Sequence, residues 1–164
     1  MKSLKLIHES ETRLIPKRKT RPPHRKPTFK KLFTVPEANA TLPLLRAILR
    51  DVTELAAVLR QRHERLMRMK EAGSTASAFA REVEELTDEH ERDQERMREL
   101  ENELKGLQVV LKDYDTGLVD FPSMRDDRVV FLCWRLDEPE VAHWHELDSG
   151  FQGRKKLESG GVPN

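Results

Sequence analysis

Between residues 45 and 107 the sequence steps forward by alternating threes and fours, first through Leu45, Ile48, Val52, Leu55, Leu59, Arg62, Leu66 and Met69. The same stepping resumes through Ala76, Phe79, Val83, Leu86, His90, Asp93, Met97, Leu100, Leu104 and Leu107. This is the seven-residue repeat of helices that meet along one apolar stripe. A strand cannot use that spacing, because its side chains change face at every residue. Gly73-Ser74-Thr75 separates the two series, and so short a break returns the chain on itself. The pattern predicts a long antiparallel helical hairpin, coiled-coil-like, with arms of roughly 45 Å.

Arg62, His90 and Asp93 are the polar interruptions of the stripe, and hairpin geometry brings the last two near Leu55, Leu59 and Arg62. An imidazole and a carboxylate one helical turn apart can bind a metal or move protons, whereas polar seam residues ordinarily fix register. The first helix carries Arg46, Arg50, Arg60, Arg65 and Arg68, and the second carries Glu82, Glu84, Glu85, Asp88, Glu89 and Glu91. The two arms are therefore complementary in charge.

Two helix-start signals precede the stripe. Thr34 stands three residues before Glu37 as in a capping box, with Pro36 in the first turn, and Thr41-Leu42-Pro43 repeats the signal. These predict a short helix leading into the hairpin, so that residues 33–106 form a short helix plus a helical hairpin.

After Gly106 the periodicity changes. Apolar runs at 109–111, 118–121, 129–136 and 141–145 are separated by the turn signals Asp113-Tyr114-Asp115-Thr116-Gly117, Pro122 to Asp127, and Asp137-Glu138-Pro139-Glu140. Residues 107–157 are expected to form a small antiparallel β-meander with a Gly-rich C-terminal loop. The fold class is α+β.

Charge divides the chain differently. Thirty basic and twenty-nine acidic residues total +1, but residues 1–32 hold eleven Lys or Arg against two acids, so the remainder carries −8. Residues 1–32, with Pro16, Pro22, Pro23 and Pro27 and few apolar residues, read as a disordered basic arm, and residues 158–164 as a disordered tail. Lys17, Arg18, Lys19, Arg21, Arg25 and Lys26, with Lys30 and Lys31, could seek nucleic-acid phosphates or merely solubilise the chain. No aromatic interleaves these charges before Phe29, which limits base stacking. An Arg-rich leader also suits an organelle transit peptide, but four prolines fit its amphipathic helix poorly. A single cysteine and no apolar run of membrane-spanning length predict a cytoplasmic protein with no membrane contact.

Chemistry, if any, lies in the last third of the chain. His143 and His145 are two apart on a predicted strand, so both imidazoles share a face as in many metal sites, and Asp120, Glu138, Glu146 and Asp148 could complete a shell. A divalent metal is the one cofactor the residues suggest; a pair of surface histidines flanking Trp144 is the structural alternative. If the turn after Leu136 pairs that residue with Val141, Trp134 shares the histidine face while Cys133 and Arg135 share the other with Trp144 and Glu146. A one-residue bulge reverses the grouping. Cys133 could act as a nucleophile with His143 or His145 as its base, or lie inert in the most apolar strand. Gly150-Phe151-Gln152-Gly153-Arg154 could cradle an anion, or turn the chain with an aromatic plug. No hydrolase, metalloprotease or dinucleotide-binding motif occurs.

Leu132-Cys133-Trp134-Arg135-Leu136, Glu138-Pro139-Glu140, Trp144-His145-Glu146, Asp148, Gly150-Phe151 and Gly153-Arg154 together resemble the C-terminal signature of an uncharacterised bacterial family, domain of unknown function 2203. Phe33-Thr34 with Glu37-Ala38-Asn39 is similar to its start, and Gly117-Leu118-Val119-Asp120-Phe121-Pro122 to its middle, so the resemblance spans about residues 33 to 157. The family carries no assigned activity. Its pattern often has an aromatic where this chain has His143, which turns attention to Arg135, His145, Glu146 and Arg154, with Trp134 and Trp144 beside them, as a ligand site.

Three functions remain open on the sequence. One is a non-enzymatic hairpin protein that binds itself or another helical protein. The second is a small ligand- or metal-binding protein or enzyme, and the third a nucleic-acid tether through the basic arm.

Overall fold

The computed structural model describes residues 28–73 and 77–158. Its first helix, α1, runs Val35–Ala72, and α2 runs Ser77–Gly106. Five strands follow, β1 Val110–Asp113, β2 Leu118–Arg125, β3 Arg128–Arg135, β4 His143–Glu146 and β5 Lys155–Lys156. They form one antiparallel sheet in the order of the chain. The α+β architecture of a helical hairpin followed by a meander is as the periodicity predicts. The basic arm's Lys17, Arg18, Lys19, Arg21, Arg25 and Lys26, the break at 74–76 and nearly all of the C-terminal tail lie outside the described residues.

The short leading helix is not separate. One cap serves all of α1: Thr34 Oγ1 accepts the Glu37 N–H, and the Glu37 carboxylate accepts the Thr34 N–H at 2.8 Å. Pro43 then lies inside the helix, where it forfeits one backbone bond without ending the run. Gly73, in the left-handed conformation at φ 61°, closes the other end. Hydrogen bonds from Thr34 to its ionised carboxylate hold Glu37 below the usual carboxylate range. Its contribution is therefore present at neutral pH and is lost as acid protonates the folded form. Thr34→Ala should lower stability at neutral pH through loss of the cap, and the part of the loss that comes from the Oγ1 bond to the Glu37 carboxylate should shrink as pH falls toward that lowered pKa. Urea midpoints across an acid pH series would show both; a cost independent of pH would contradict the Oγ1 bond to the carboxylate.

The hairpin packs on the sheet at one end only. Ala38, Leu42, Leu45, Ile48, Leu49 and Val52 of α1, with Met97, Leu100 and Leu104 of α2, are buried with Val119, Phe121, Val130, Leu132, Trp134 and Trp144 of the sheet. Farther out, the seam closes helix against helix. Leu55, Leu59, Met69, Phe79, Val83 and Leu86 are half-buried there and Leu66 is buried. The polar interruption meets across this seam: Arg62 pairs with Asp93 and, at 3.3 Å, with Glu89, while His63 and His90 lie 6.1 Å apart. It is an interhelical ion cluster that fixes register.

Strand β2 continues through Pro122, where a stop is expected. The Pro122 carbonyl accepts the Phe33 N–H at 2.7 Å, on the side opposite β3. Because the N–H and C=O of one strand residue point the same way, the donor that proline lacks is not needed by β3. Ser123 Oγ also donates to the Phe33 carbonyl at 2.6 Å, so the segment before α1 extends the sheet edge that β1 leaves bare.

Candidate functional site

The register of β3 against β4 decides which side chains can meet. Cys133 stands opposite His143, Leu132 opposite Trp144, Phe131 opposite His145 and Val130 opposite Glu146. The bulged alternative is therefore the one realised, contrary to the pairing of Leu136 with Val141. Seven residues join Arg135 to His143, a wide turn that frees the register from any two-residue hairpin rule. Trp134, Trp144 and Glu146 share the helix-facing side, and Asp120, Cys133, Arg135, His143 and His145 share the other.

Two polar clusters occupy that outer face. In the first, His145 Nε2 lies 3.2 Å from Asp120 Oδ1, and the ring's Nδ1 is 2.8 Å from the carbonyl of Glu146. Cys133 stands beside them, and the ligand atoms of all three residues lie within 4.8 Å of one another. Asp120, Cys133 and His145 are each 2% exposed or less. Among the described residues Asp120 Oδ2 has no hydrogen-bond partner, and Lys112 Nζ stands 4.0 Å from it. Lys112 is the extra residue of a bulge in β1, which aims it at Asp120. Burial first, then the Asp120 carboxylate, pushes the Cys133 thiol up to about 12. Left to itself at neutral pH the thiol is protonated, so Cys133 is not a ready nucleophile.

The second cluster is an ion pair under the C-terminal loop. Arg154 Nη2 donates to both Glu138 oxygens at 2.7 Å, to the Cys133 carbonyl at 3.3 Å and to His143 Nδ1 at 3.2 Å. Glu138 Oε2 also accepts the Arg135 N–H at 2.8 Å. The loop that delivers Arg154 is a 3-10 turn at Phe151–Gly153. Gly153 is required there, since a Cβ would come within 2.5 Å of the Ser149 Cβ. Phe151 is exposed rather than a buried plug, and its ring covers the Arg154 guanidinium at 4.8 Å. With Glu138 on its guanidinium, Arg154 is not free to cradle an anion.

Arg135, His145, Glu146 and Arg154 do not converge. The Arg135 guanidinium pairs with Asp137, which it holds below the usual carboxylate range, and Glu146 faces Arg128 at 3.5 Å on the opposite side of the sheet. His143 and His145 share a face as strand alternation requires, but they enter different clusters. Trp134 and Trp144 serve the core; the Trp134 ring stacks under Arg46 at 4.9 Å and its Nε1–H donates to the Glu138 carbonyl. Arg46 is more than a charge on α1. It donates to the carbonyls of Leu136, Glu138 and Pro139, tying the helix to the β3–β4 turn. Asp120 carries a signal in the sequence: an ionisable residue inside the run Leu118-Val119-Asp120-Phe121 rarely goes into a sheet without a partner.

The family model described as an uncharacterized conserved protein, DUF2203, matches residues 31–157. The chain belongs to this family. No curated protein and no solved structure matches it. The DUF2203 region takes in both outer-face clusters and the whole hairpin, and leaves out the basic arm as far as residue 30.

Proposed function

We propose that this is a cytoplasmic, non-enzymatic protein that self-associates through the part of its hairpin extending past the sheet. The observation that carries this reading is the distal seam. Over residues 53–69 and 79–93 its apolar stripe is mostly half-buried, and Val58 and Met67 are 41% and 45% exposed beside it. Two helices alone cannot enclose a seam that four would cover.

Charge selects a second copy as the occupant. Beyond the pairs the chain makes with itself, Arg60 with Asp115, Arg65 with Glu82 and Arg62 with Glu89, distal α1 displays Arg68 and Lys70 and distal α2 displays Glu84, Glu85, Asp88 and Glu91, all exposed. A twofold axis sets the basic helix of one chain on the acidic helix of the other, twice over. The sole cysteine, buried and without a second thiol to pair with, fits a reducing compartment. Among the described residues no helix is long and apolar enough to cross a membrane.

Light scattering on purified protein should give a dimer that loosens as salt rises, because the paired charges are exposed. The variant E84K/E85K should weaken dimerisation at least about tenfold. A strict monomer at every concentration and salt would sink the proposal. The nucleic-acid reading rests on Lys17, Arg18, Lys19, Arg21, Arg25 and Lys26, outside the described residues, and nothing described adds to it.

A further inference from the structure

We infer that Asp120, Cys133 and His145 bind a zinc-class divalent ion that staples β2, β3 and β4 together on the face away from the helices. The inference is independent of the hairpin. Its first support is proton accounting at His145. The Glu146 carbonyl can only accept, so Nδ1 carries the ring's hydrogen. Nε2 then presents a lone pair to the carboxylate oxygen 3.2 Å away. Two acceptors face each other, and either a second ring proton or a metal ion must stand between them. A backbone carbonyl on the far nitrogen is the usual way a metal-ligating imidazole is oriented.

The second support is Asp120 Oδ2, on a side chain 1% exposed, which among the described residues has no hydrogen-bond partner and only Lys112 Nζ at 4.0 Å, whereas the half-buried Glu138 carboxylate is fully engaged. A buried carboxylate oxygen without a partner is costly, and a cation removes that cost. Charge also balances. A thiolate, a carboxylate and a neutral imidazole neutralise a doubly charged ion, whereas a metal-free cluster holds either a protonated thiol beside an ion pair or a bare acid.

Size agrees as well. Sulfur, nitrogen and oxygen ligands at 2.0–2.3 Å around a tetrahedral ion stand roughly 3.3–3.8 Å apart, and these three atoms lie within 4.8 Å of each other before any contraction. The second Asp120 oxygen or a water supplies the fourth position. Lys112, 42% exposed at its side chain, is free to swing outward, and Arg154 stays neutralised by Glu138. Metal binding expels the thiol proton despite its raised pKa, so uptake is coupled to proton release.

Cobalt(II) titrated into chelator-treated, full-length protein tests this directly. Cys133 is the chain's only cysteine, so a thiolate-to-cobalt charge-transfer band identifies its sulfur as a ligand. One equivalent should develop that band with visible bands of tetrahedral intensity, and zinc should displace it and raise the melting temperature. Cys133→Ser should abolish the band. Asp120→Asn and His145→Gln should weaken cobalt binding by on the order of 10- to 100-fold or more, while His143→Gln leaves the band in place. Should the variants fail to fold, the wild-type spectrum decides alone. Folded wild-type protein that gives no thiolate band, or a His145 ring found doubly protonated by nitrogen NMR without metal uptake, would overturn the inference.

Discussion

Trp134→Ala should lower the unfolding free energy by about 3–5 kcal/mol, the range for removing a large aromatic from a packed core. Trp134 is wholly buried on the helix-facing side of β3, opposite Val119. Its ring does three things: it fills the centre of the sheet's inner face, it supports the Arg46 guanidinium, and it donates from Nε1 to the Glu138 carbonyl. Alanine leaves a cavity that a sheet and two helices close only in part. Trp134→Phe keeps most of the volume and should cost about 1–2 kcal/mol, because Arg46 still satisfies the Glu138 carbonyl at 2.7 Å. Urea unfolding followed by circular dichroism measures both. A loss below about 1 kcal/mol for the alanine variant would mean that the hairpin and sheet are not one cooperative unit.

Glu138→Ala should cost about 3 kcal/mol by a different route. Removing the carboxylate takes both 2.7 Å partners from Arg154, whose side chain is 12% exposed, and the acceptor from the Arg135 N–H. What remains is a guanidinium with one carbonyl and one imidazole beside it, held where water reaches poorly. The loss is the desolvation of an unpaired charge rather than the worth of the pair. Arg154→Met in the Glu138→Ala background should therefore recover part of it. A double-mutant cycle with a clearly favourable coupling is the expected outcome. Independent, additive effects would show the pair to be solvated in solution.

The hairpin was legible because its information is local. Each seam position from Leu45 to Leu107 falls three or four residues from the next, and even the polar interruption at Arg62 and Asp93 is readable as a cross-seam pair. The capping box at Thr34 and Glu37 and the left-handed stop at Gly73 are legible for the same reason, since each acts within four residues. Pro43 and Pro122 end no element, each for its own reason. At Pro43 a 38-residue helix, packed on the sheet, survives the loss of one i→i−4 bond, and at Pro122 the missing N–H would have pointed away from β3.

The candidate sites were less legible. The four residues grouped on sequence, Arg135, His145, Glu146 and Arg154, are near one another along the chain, but strand alternation sends Glu146 to the far side of the sheet from His145. The realised cluster joins Asp120, Cys133 and His145 from three strands, the acid and the imidazole it faces standing 25 positions apart. Arg46 reaches carbonyls 90 to 93 residues away. No spacing rule connects such positions.

The amino-acid sequence by itself determined the α+β class, the two arms of the hairpin, the order of the apolar runs and membership of DUF2203, because periodicity and caps act over one or two turns of chain. Only the tertiary structure decided which side chains share the outer face. That choice turned on a single residue of register after Arg135, and the seven-residue turn there leaves the register to be set by packing. Trp134 and Trp144 take the side against the helices, where their area is buried, and Asp120, Cys133 and His145 are carried together on the other.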